Sequence, residues 1–535
     1  MNGRPVSAVS RVATWVAPPL LGLLALLLGQ DASWDLRNYH FYDPHAWLHG
    51  RLDLDVAVAH VATFYNPTLH LPFYWAVTHL QPRAVGFLLG ALAGLNVPFL
   101  LAICRRVDQR AGEMPRPWVV LALTTAGLAG AMFVSELGTS FGDNLLSVPV
   151  LAAVALVLRD RARLSAAQGW RAALLPALLC GAAAGLKLPF AVYGVALAAM
   201  LLWAAGGVRH RLQVLLATGG AGLAGALLTG GWWAAQMWQR YGNPVFPYFN
   251  EWFGSPWASA ASYRDPRFLP EGPLQAAMFP LQFALAPRRV AEVAFFDLRF
   301  PLLYLAALTL AGLLAWRALR RRGTVEGTGD EANSAALLLV FVGVAFLAWM
   351  RMFGIARYLV VGELLAPAAI WAAWRLGWPQ WRPASGVAML LLAALLLTLR
   401  PADWSRRPWS RDYFDVAAPT IEEPSRTLVL MVGNEPGGYL VPYLPASLRF
   451  LRIDGYFTGP SPQPNESDRA MQRAVRGHRG PVLFLFRSYE RPRAVRAAAA
   501  YGLRISTTDC RAWLPGIEPD QRHPFELCGE DLPAS

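Results

Sequence analysis

The chain has 535 residues, of which 55% are hydrophobic and only 16% charged, and its formal net charge is +13. Soluble proteins carry roughly 25% charged residues, so one globular core cannot hide this apolar content and a bilayer is its natural solvent. The basic residues lie between apolar runs instead of in one patch, and no RNA- or DNA-binding motif is present, which argues against nucleic acid as a partner.

A membrane-crossing helix needs about 20 apolar residues, and runs of that kind predict about eleven crossings. In chain order they cover 12–29, 84–104, 117–134, 145–158, 172–186, 188–205, 213–233, 300–317, 335–350, 358–374 and 384–399. The first follows Arg4 and Arg11, but no small-x-small cleavage site comes after it in Gln30-Asp31-Ala32-Ser33-Trp34. It is therefore predicted as a retained crossing and not a cleaved signal. The pair 172–186 and 188–205 could also form one broken crossing.

Arginine placement orients these runs, because cytoplasmic loops collect basic residues. Arg4 and Arg11 begin inside, and the alternation puts Arg105, Arg106, Arg110 and Arg116 on the same side. Arg159, Arg161, Arg163 and Arg171 follow there, then Arg209 and Arg211, Arg317 with Arg320, Arg321 and Arg322, and Arg375 with Arg382. The opposite side receives 30–83, 135–144, the turn at Lys187, 234–299, 351–357 and everything after 400. Residues 323–334 read as a flexible inside loop.

The two long outside loops carry many aromatics, which favour the headgroup layer. Residues 36–50 set Tyr39, Phe41, Tyr42, Trp47 and Leu48 among polar residues, a pattern predicting an interfacial amphipathic helix. After Arg400 the apolar runs become strand-sized at 427–432, 448–453, 481–486 and 503–508, with helix-like segments at 466–479 and 489–501. The expectation is a helical membrane bundle over 1–400, with outside loops 30–83 and 234–299, and a small α/β domain over 401–535. Cys104 and Cys180 fall in apolar runs as buried thiols, whereas Cys510 and Cys528 lie in the tail, where a disulfide is expected if the tail is extracytoplasmic.

Several outside residues could carry chemistry. Asp31 and Asp35 follow the first crossing, where a carboxylate can take a proton from a hydroxyl, hold a divalent cation beside a phosphate, or simply cap a helix. Glu136 and Asp143 stand in 135–144, a loop with no basic residue, and Asp143 could also cap the helix that follows. Four acids without a local basic partner are costly unless a cation, a proton or a hydroxylated ligand meets them. Lys187 is the only lysine in the chain, and a lysine among crossing helices suits phosphate as a compact charge, or else snorkels at a helix end. Arg351 and Arg357 flank an outside turn and can bind phosphate or anchor the interface. His40, His45, His49, His60 and His70 lack zinc-site spacing and are expected at the surface or the interface.

In this order, Asp31-Ala32-Ser33-Trp34-Asp35, the segment Asn38 to His49, the acids Glu136 and Asp143, Gly185-Leu186-Lys187, Tyr241-Gly242-Asn243-Pro244-Val245-Phe246-Pro247-Tyr248 and Arg357-Tyr358-Leu359 resemble the GT-C superfamily of membrane glycosyltransferases. The likeness is to its bacterial members, relatives of the lipid A aminoarabinose transferases and the protein O-mannosyltransferases, over roughly the first 400 residues. It implies inverting transfer of a sugar from a polyprenyl-phosphate donor to a glycan, lipid or protein hydroxyl, at the outer face of a bacterial inner membrane. Asp35 or Asp31 would then be the base, Lys187 with Arg357 or Arg351 would hold the donor phosphate, and Tyr241, Asn243, Phe246 and Tyr248 would line the sugar or lipid. The resemblance requires no cofactor, and leaves open a divalent cation beside the donor phosphate. Competing readings are an O-antigen polymerase or ligase, a transporter or lipid flippase, and a scaffold that anchors a partner-binding tail.

Overall fold

The computed structural model describes residues 8–109, 114–166, 168–320, 330–378 and 384–531. Arg4, Arg110, Arg321, Arg322 and Arg382, and 323–329 of the predicted inside loop, lie outside the described residues. Residues 330–334 of that loop belong instead to the helix Asp330–Met352.

The chain is mostly helical, at 64%, with a small C-terminal sheet. Among the described residues, six helices are long and apolar enough to cross a membrane: Arg11–Leu28, Pro82–Asp108, Val208–Tyr241, Arg299–Leu319, Ser334–Met352 and Ala356–Gly377. This is the helix content of a polytopic membrane protein. Pro117–Leu128, Trp170–Leu186, Leu188–Ala204 and Gly386–Thr398 are apolar but shorter. The predicted crossing 145–158 lies in the helix Asp143–Leu164, whose last turns carry Arg159, Asp160, Arg161 and Arg163.

The chain divides into two compact units. The first comprises Met1–Leu27, Phe87–Gly231 and Arg264–Asp403. Its interior is packed by Leu100, Val150, Ala153, Val157, Leu197, Leu364 and Ala368, all fully buried. Helices Trp170–Leu186 and Val208–Tyr241 meet along small residues. A Cβ at Gly181 would collide with the Gly222 carbonyl, one at Gly185 with that of Ala226, and one at Gly230 with that of Gly185. Such a four-residue spacing lets two backbones touch, which drives helix association where lipid removes the hydrophobic force. The last seam glycine, Gly185, lies two residues before Lys187, where the chain leaves the helix in an extended conformation.

The second unit comprises Leu28–Gly86, Trp232–Tyr263 and Trp404–Ser535. Strand β1 (Gln30–Asp31) pairs antiparallel with β2 (Arg406–Arg407). A five-stranded sheet follows, of β3 (Leu428–Val432), β4 (Arg449–Asp454), β5 (Val482–Arg487), β6 (Ile505–Trp513) and β7 (Phe525–Glu530), in the order β4-β3-β5-β7-β6. The pairs β4–β3 and β3–β5 are parallel, and β7 runs antiparallel to β5 and β6. Alternate residues Leu428, Leu430 and Val432, with Phe484 and Phe486, pack against Met471 and Val475 of helix Glu466–Gly477 and Ala494, Ala497 and Ala498 of helix Arg491–Ala500. This is the period-two strand face meeting the helix stripe. Cys510 and Cys528 face each other on β6 and β7 and are joined as a disulfide.

The first loop is built into this unit. Val56 bridges Leu451 in parallel, covering the free edge of β4. The predicted amphipathic helix over 36–50 takes another form. Leu36–His40 is a π-helical turn followed by the short helix Tyr42–Leu48, and Tyr39, Phe41 and Tyr42 are buried with the polar Arg37, Asn38, His40 and Asp43. Over 36–44 polar and apolar residues are buried together, whereas Leu48 and His49 at the end of the segment are exposed. His40, His60 and His70 are likewise buried, contrary to the surface placement expected for them. The rings of His40 and His70 stack with centroids 4.1 Å apart.

Candidate functional site

In the first unit, the loop from Ser135 to Gly142 carries the two acids and turns on two glycines with positive φ, Gly138 at 75° and Gly142 at 79°. Only glycine adopts that conformation without strain. Gly142 is the N-cap of helix Asp143–Leu164, so Asp143 is its first residue and not its cap, correcting one sequence expectation. The Asp143 carboxylate instead receives Lys187. The Lys187 ammonium donates to Oδ1 and Oδ2 of Asp143 at 2.8 Å each and to the Phe141 carbonyl at 3.0 Å. Three donors meet three acceptors, and the ammonium also lies 5.3 Å from the Tyr358 ring centroid.

Arg357 lies against the same aromatics. Its guanidinium is 4.9 Å from the Phe141 ring centroid and 5.0 Å from that of Tyr358, with Oε1 of Glu292 at 3.7 Å. The Tyr358 carbonyl accepts from the Tyr193 hydroxyl at 2.7 Å, fixing the turn that carries Arg357. Glu136 is buried, and among the described residues neither of its carboxylate oxygens has a hydrogen-bond partner. Burial first, then the charge of Asp143, pushes its carboxyl well above the usual range against the pull of Lys187 and Arg357. The structure thus brings Glu136, Asp143, Lys187 and Arg357 together. The Arg351 side chain is exposed and joins none of these contacts.

A second buried network, not singled out by the sequence, anchors the loop. Glu363 accepts from the amides of Met132 and Phe133 at 2.9 Å each, and Asp297 accepts from Ala131 at 3.1 Å. Arg299 pairs with Asp297 at 2.5 Å and donates to the carbonyls of Ala126 and Ala129. These contacts satisfy the open amides at the start of helix Ala131–Ser135, whose last residue precedes Glu136.

In the second unit, Asp31 is buried within the β1–β2 pairing and its Oδ1 accepts from the Ser33 amide at 2.9 Å. Asp35 is half-buried, makes no helix cap, and accepts from the Tyr39 hydroxyl at 3.3 Å. The Tyr39 ring meets the Tyr65 ring edge-on at 5.3 Å, and the Tyr65 hydroxyl lies 2.6 Å from that of Tyr248. Tyr456, half of whose surface is open, stacks on His60 at 4.0 Å with Trp34 at 6.2 Å. Desolvation raises the Tyr456 hydroxyl above its ordinary value, and Asp35, Tyr248 and Asp43 raise it further. Asp43 is itself buried with both carboxylate oxygens unpartnered among the described residues, and burial raises its carboxyl. A carboxylate among aromatic faces and hydroxyls can accept a proton and grip a polyhydroxylated ligand.

Of the four residues predicted to line a sugar or lipid, only Tyr248 reaches this group. Tyr241 and Phe246 stack at 4.3 Å inside an apolar cluster with Phe64, Trp233 and Met237. Asn243 is buried and shapes the turn, donating to the Tyr248 carbonyl at 3.0 Å and accepting from Val245 at 3.0 Å. Among the described residues, no group of three or more His, Cys, Asp or Glu side chains is arranged to hold a metal ion. Comparisons with protein-family models, curated proteins and solved structures found no match to this chain.

Proposed function

We propose that the chain is a membrane glycosyltransferase with a GT-C-like bundle of about eleven crossings, moving a sugar from a polyprenyl-phosphate donor to a hydroxyl acceptor with inversion. Its place would be a bacterial inner membrane, with the N-terminus cytoplasmic and the tail outside. The observation that carries the reading is Asp35, a half-buried carboxylate that accepts from the Tyr39 hydroxyl and acts electrostatically on Tyr456, half of whose surface is open. Asp31 is committed to the backbone of its own turn, which favours Asp35 as the base.

In this mechanism the acceptor hydroxyl gives its proton to Asp35 as its oxygen bonds to the anomeric carbon. The bond from that carbon to the phosphate oxygen breaks, and polyprenyl phosphate leaves with the electron pair. A fixed cation stabilises the departing charge. Lys187 and Arg357 are the candidates for that task, and an alanine variant of the residue that performs it should weaken donor binding. Arg351, exposed and outside the cluster, is the weaker candidate. Purified protein in lipid discs, offered a panel of polyprenyl-phosphate sugars, should bind and turn over one of them; folded protein that binds none would sink the reading.

One observation favours a second reading, a transporter or lipid flippase. A buried Lys187–Asp143 pair beside Glu136, whose carboxylate has no hydrogen-bond partner among the described residues, resembles the groups of a substrate or proton path. Transport that survives Asp35→Asn and is lost in Glu136→Gln would support it.

A further inference from the structure

We propose that Glu518, in the tail, is a positioning residue for the Asp31–Asp35 segment and acts through Arg37. The proposal rests on the reading of Asp35 as the base. Arg37 stands two residues after Asp35 and is buried. Its Nη1 meets Oε2 of Glu518 at 2.6 Å, and its Nε donates to the Ala32 carbonyl at 3.1 Å. One guanidinium therefore ties the start of the acidic motif to the turn that follows it, and ties both to the tail.

Glu518 is held rigidly in its turn. Oε1 accepts from the Tyr439 hydroxyl at 2.6 Å, and Oε2 lies 3.3 Å from Nη1 of Arg487, the last residue of the central strand β5. The Glu518 main-chain carbonyl accepts from Arg407 at 2.9 Å, on the strand β2 that pairs with Gln30 and Asp31. A buried carboxylate shared by two guanidiniums is replaceable only at high cost, because its loss leaves two cations unpaired. The same loop is gripped elsewhere by the tail. Arg51 donates to the carbonyls of Ala446 and Leu448, Asp55 accepts from the Phe450 amide, and Gly438 packs against the Asn38 carbonyl so closely that a Cβ would collide. The C-terminal sheet is thus the scaffold on which the acidic loop is built, with Arg37–Glu518 a contact two residues along the chain from the reacting carboxylate.

The test compares full-length wild type with Glu518→Ala, Glu518→Gln and Glu518→Asp in lipid discs. Hydrogen exchange of amides 32–42 should speed at least tenfold in Glu518→Ala while β5 stays protected. Donor turnover should fall at least tenfold with donor affinity unchanged, and Glu518→Asp should recover part of it. Glu518→Gln keeps the volume and an acceptor for Tyr439, and carries the same test if the alanine variant does not fold. Unchanged exchange at 32–42 overturns the proposal, as does equal loss of protection in loop and sheet, which marks general destabilisation. The exchange arm stands without turnover, so a wild type that processes no donor defeats the transferase reading while the link between Glu518 and the loop is still decided.

Discussion

Lys187 and Asp143 are 44 residues apart and form an ion pair in which the ammonium lies 2.8 Å from both carboxylate oxygens. The Asp143 side chain is fully buried and that of Lys187 is 13% exposed. The pair joins the first residue of helix Asp143–Leu164 to the break between helices Trp170–Leu186 and Ala191–Ala204. Removing one partner strands the other charge. Lys187→Met should cost about 3 kcal/mol of stability, measured by unfolding in mild detergent. Asp143→Asn combined with Lys187→Met should recover a large part of that loss. Additive costs in the double variant would show that the two side chains are not coupled.

Glu136 gives a pH dependence of defined sign. Its carboxyl is raised by burial and then by Asp143, with Glu363 adding to the rise and Lys187 and Arg357 opposing it. Between the ordinary carboxyl value and the raised one, the native state holds a proton that the unfolded chain has lost. Stability therefore falls as pH rises through that window, by at most about 1.4 kcal/mol per pH unit from this group. Glu136→Gln should flatten that part of the profile and stabilise the protein at neutral pH. Denaturation midpoints collected from pH 5 to 8 would check this, and an unaltered slope in the variant would contradict it. Asp43→Asn should act with the same sign, since Asp43 is raised by burial.

The Cys510–Cys528 link closes a segment with a sequence separation of 18. On loop entropy alone it contributes about 3 kcal/mol to the fold. The Cys510→Ala, Cys528→Ala double variant should lose β6–β7 protection in hydrogen exchange first, because the link lies between those strands. Uniform loss across all five strands would contradict a local role.

Membrane class, and the helices that carry it, were legible in the sequence because twenty apolar residues in a row have few other solutions. Strands β3 to β6 of the tail were legible for a similar reason: short apolar runs bounded by turns. β7 was not read, although Phe525 and Leu527 alternate as a strand should. Contacts between residues far apart in sequence were invisible. The loop 135–144 offers Glu136 and Asp143 no local basic partner, and the one that Asp143 finds, Lys187, lies 44 residues away. Asp297, Arg299 and Glu363 passed unnoticed because the groups they hold, the Ala131 and Met132 amides and the Ala126 carbonyl, lie 166, 231 and 173 residues away. The buried histidines misled for the same reason, since polar residues read as surface until a second segment covers them. Arg37 and Glu518, 481 residues apart, are the extreme case.

The most direct test is donor turnover by Asp35→Asn beside wild type, in lipid discs with the polyprenyl-phosphate sugar that wild type uses. Loss of a general base predicts a fall of about 10²- to 10⁴-fold in turnover, with donor affinity held within a few-fold. Turnover at the wild-type rate in a folded Asp35→Asn protein would contradict the account.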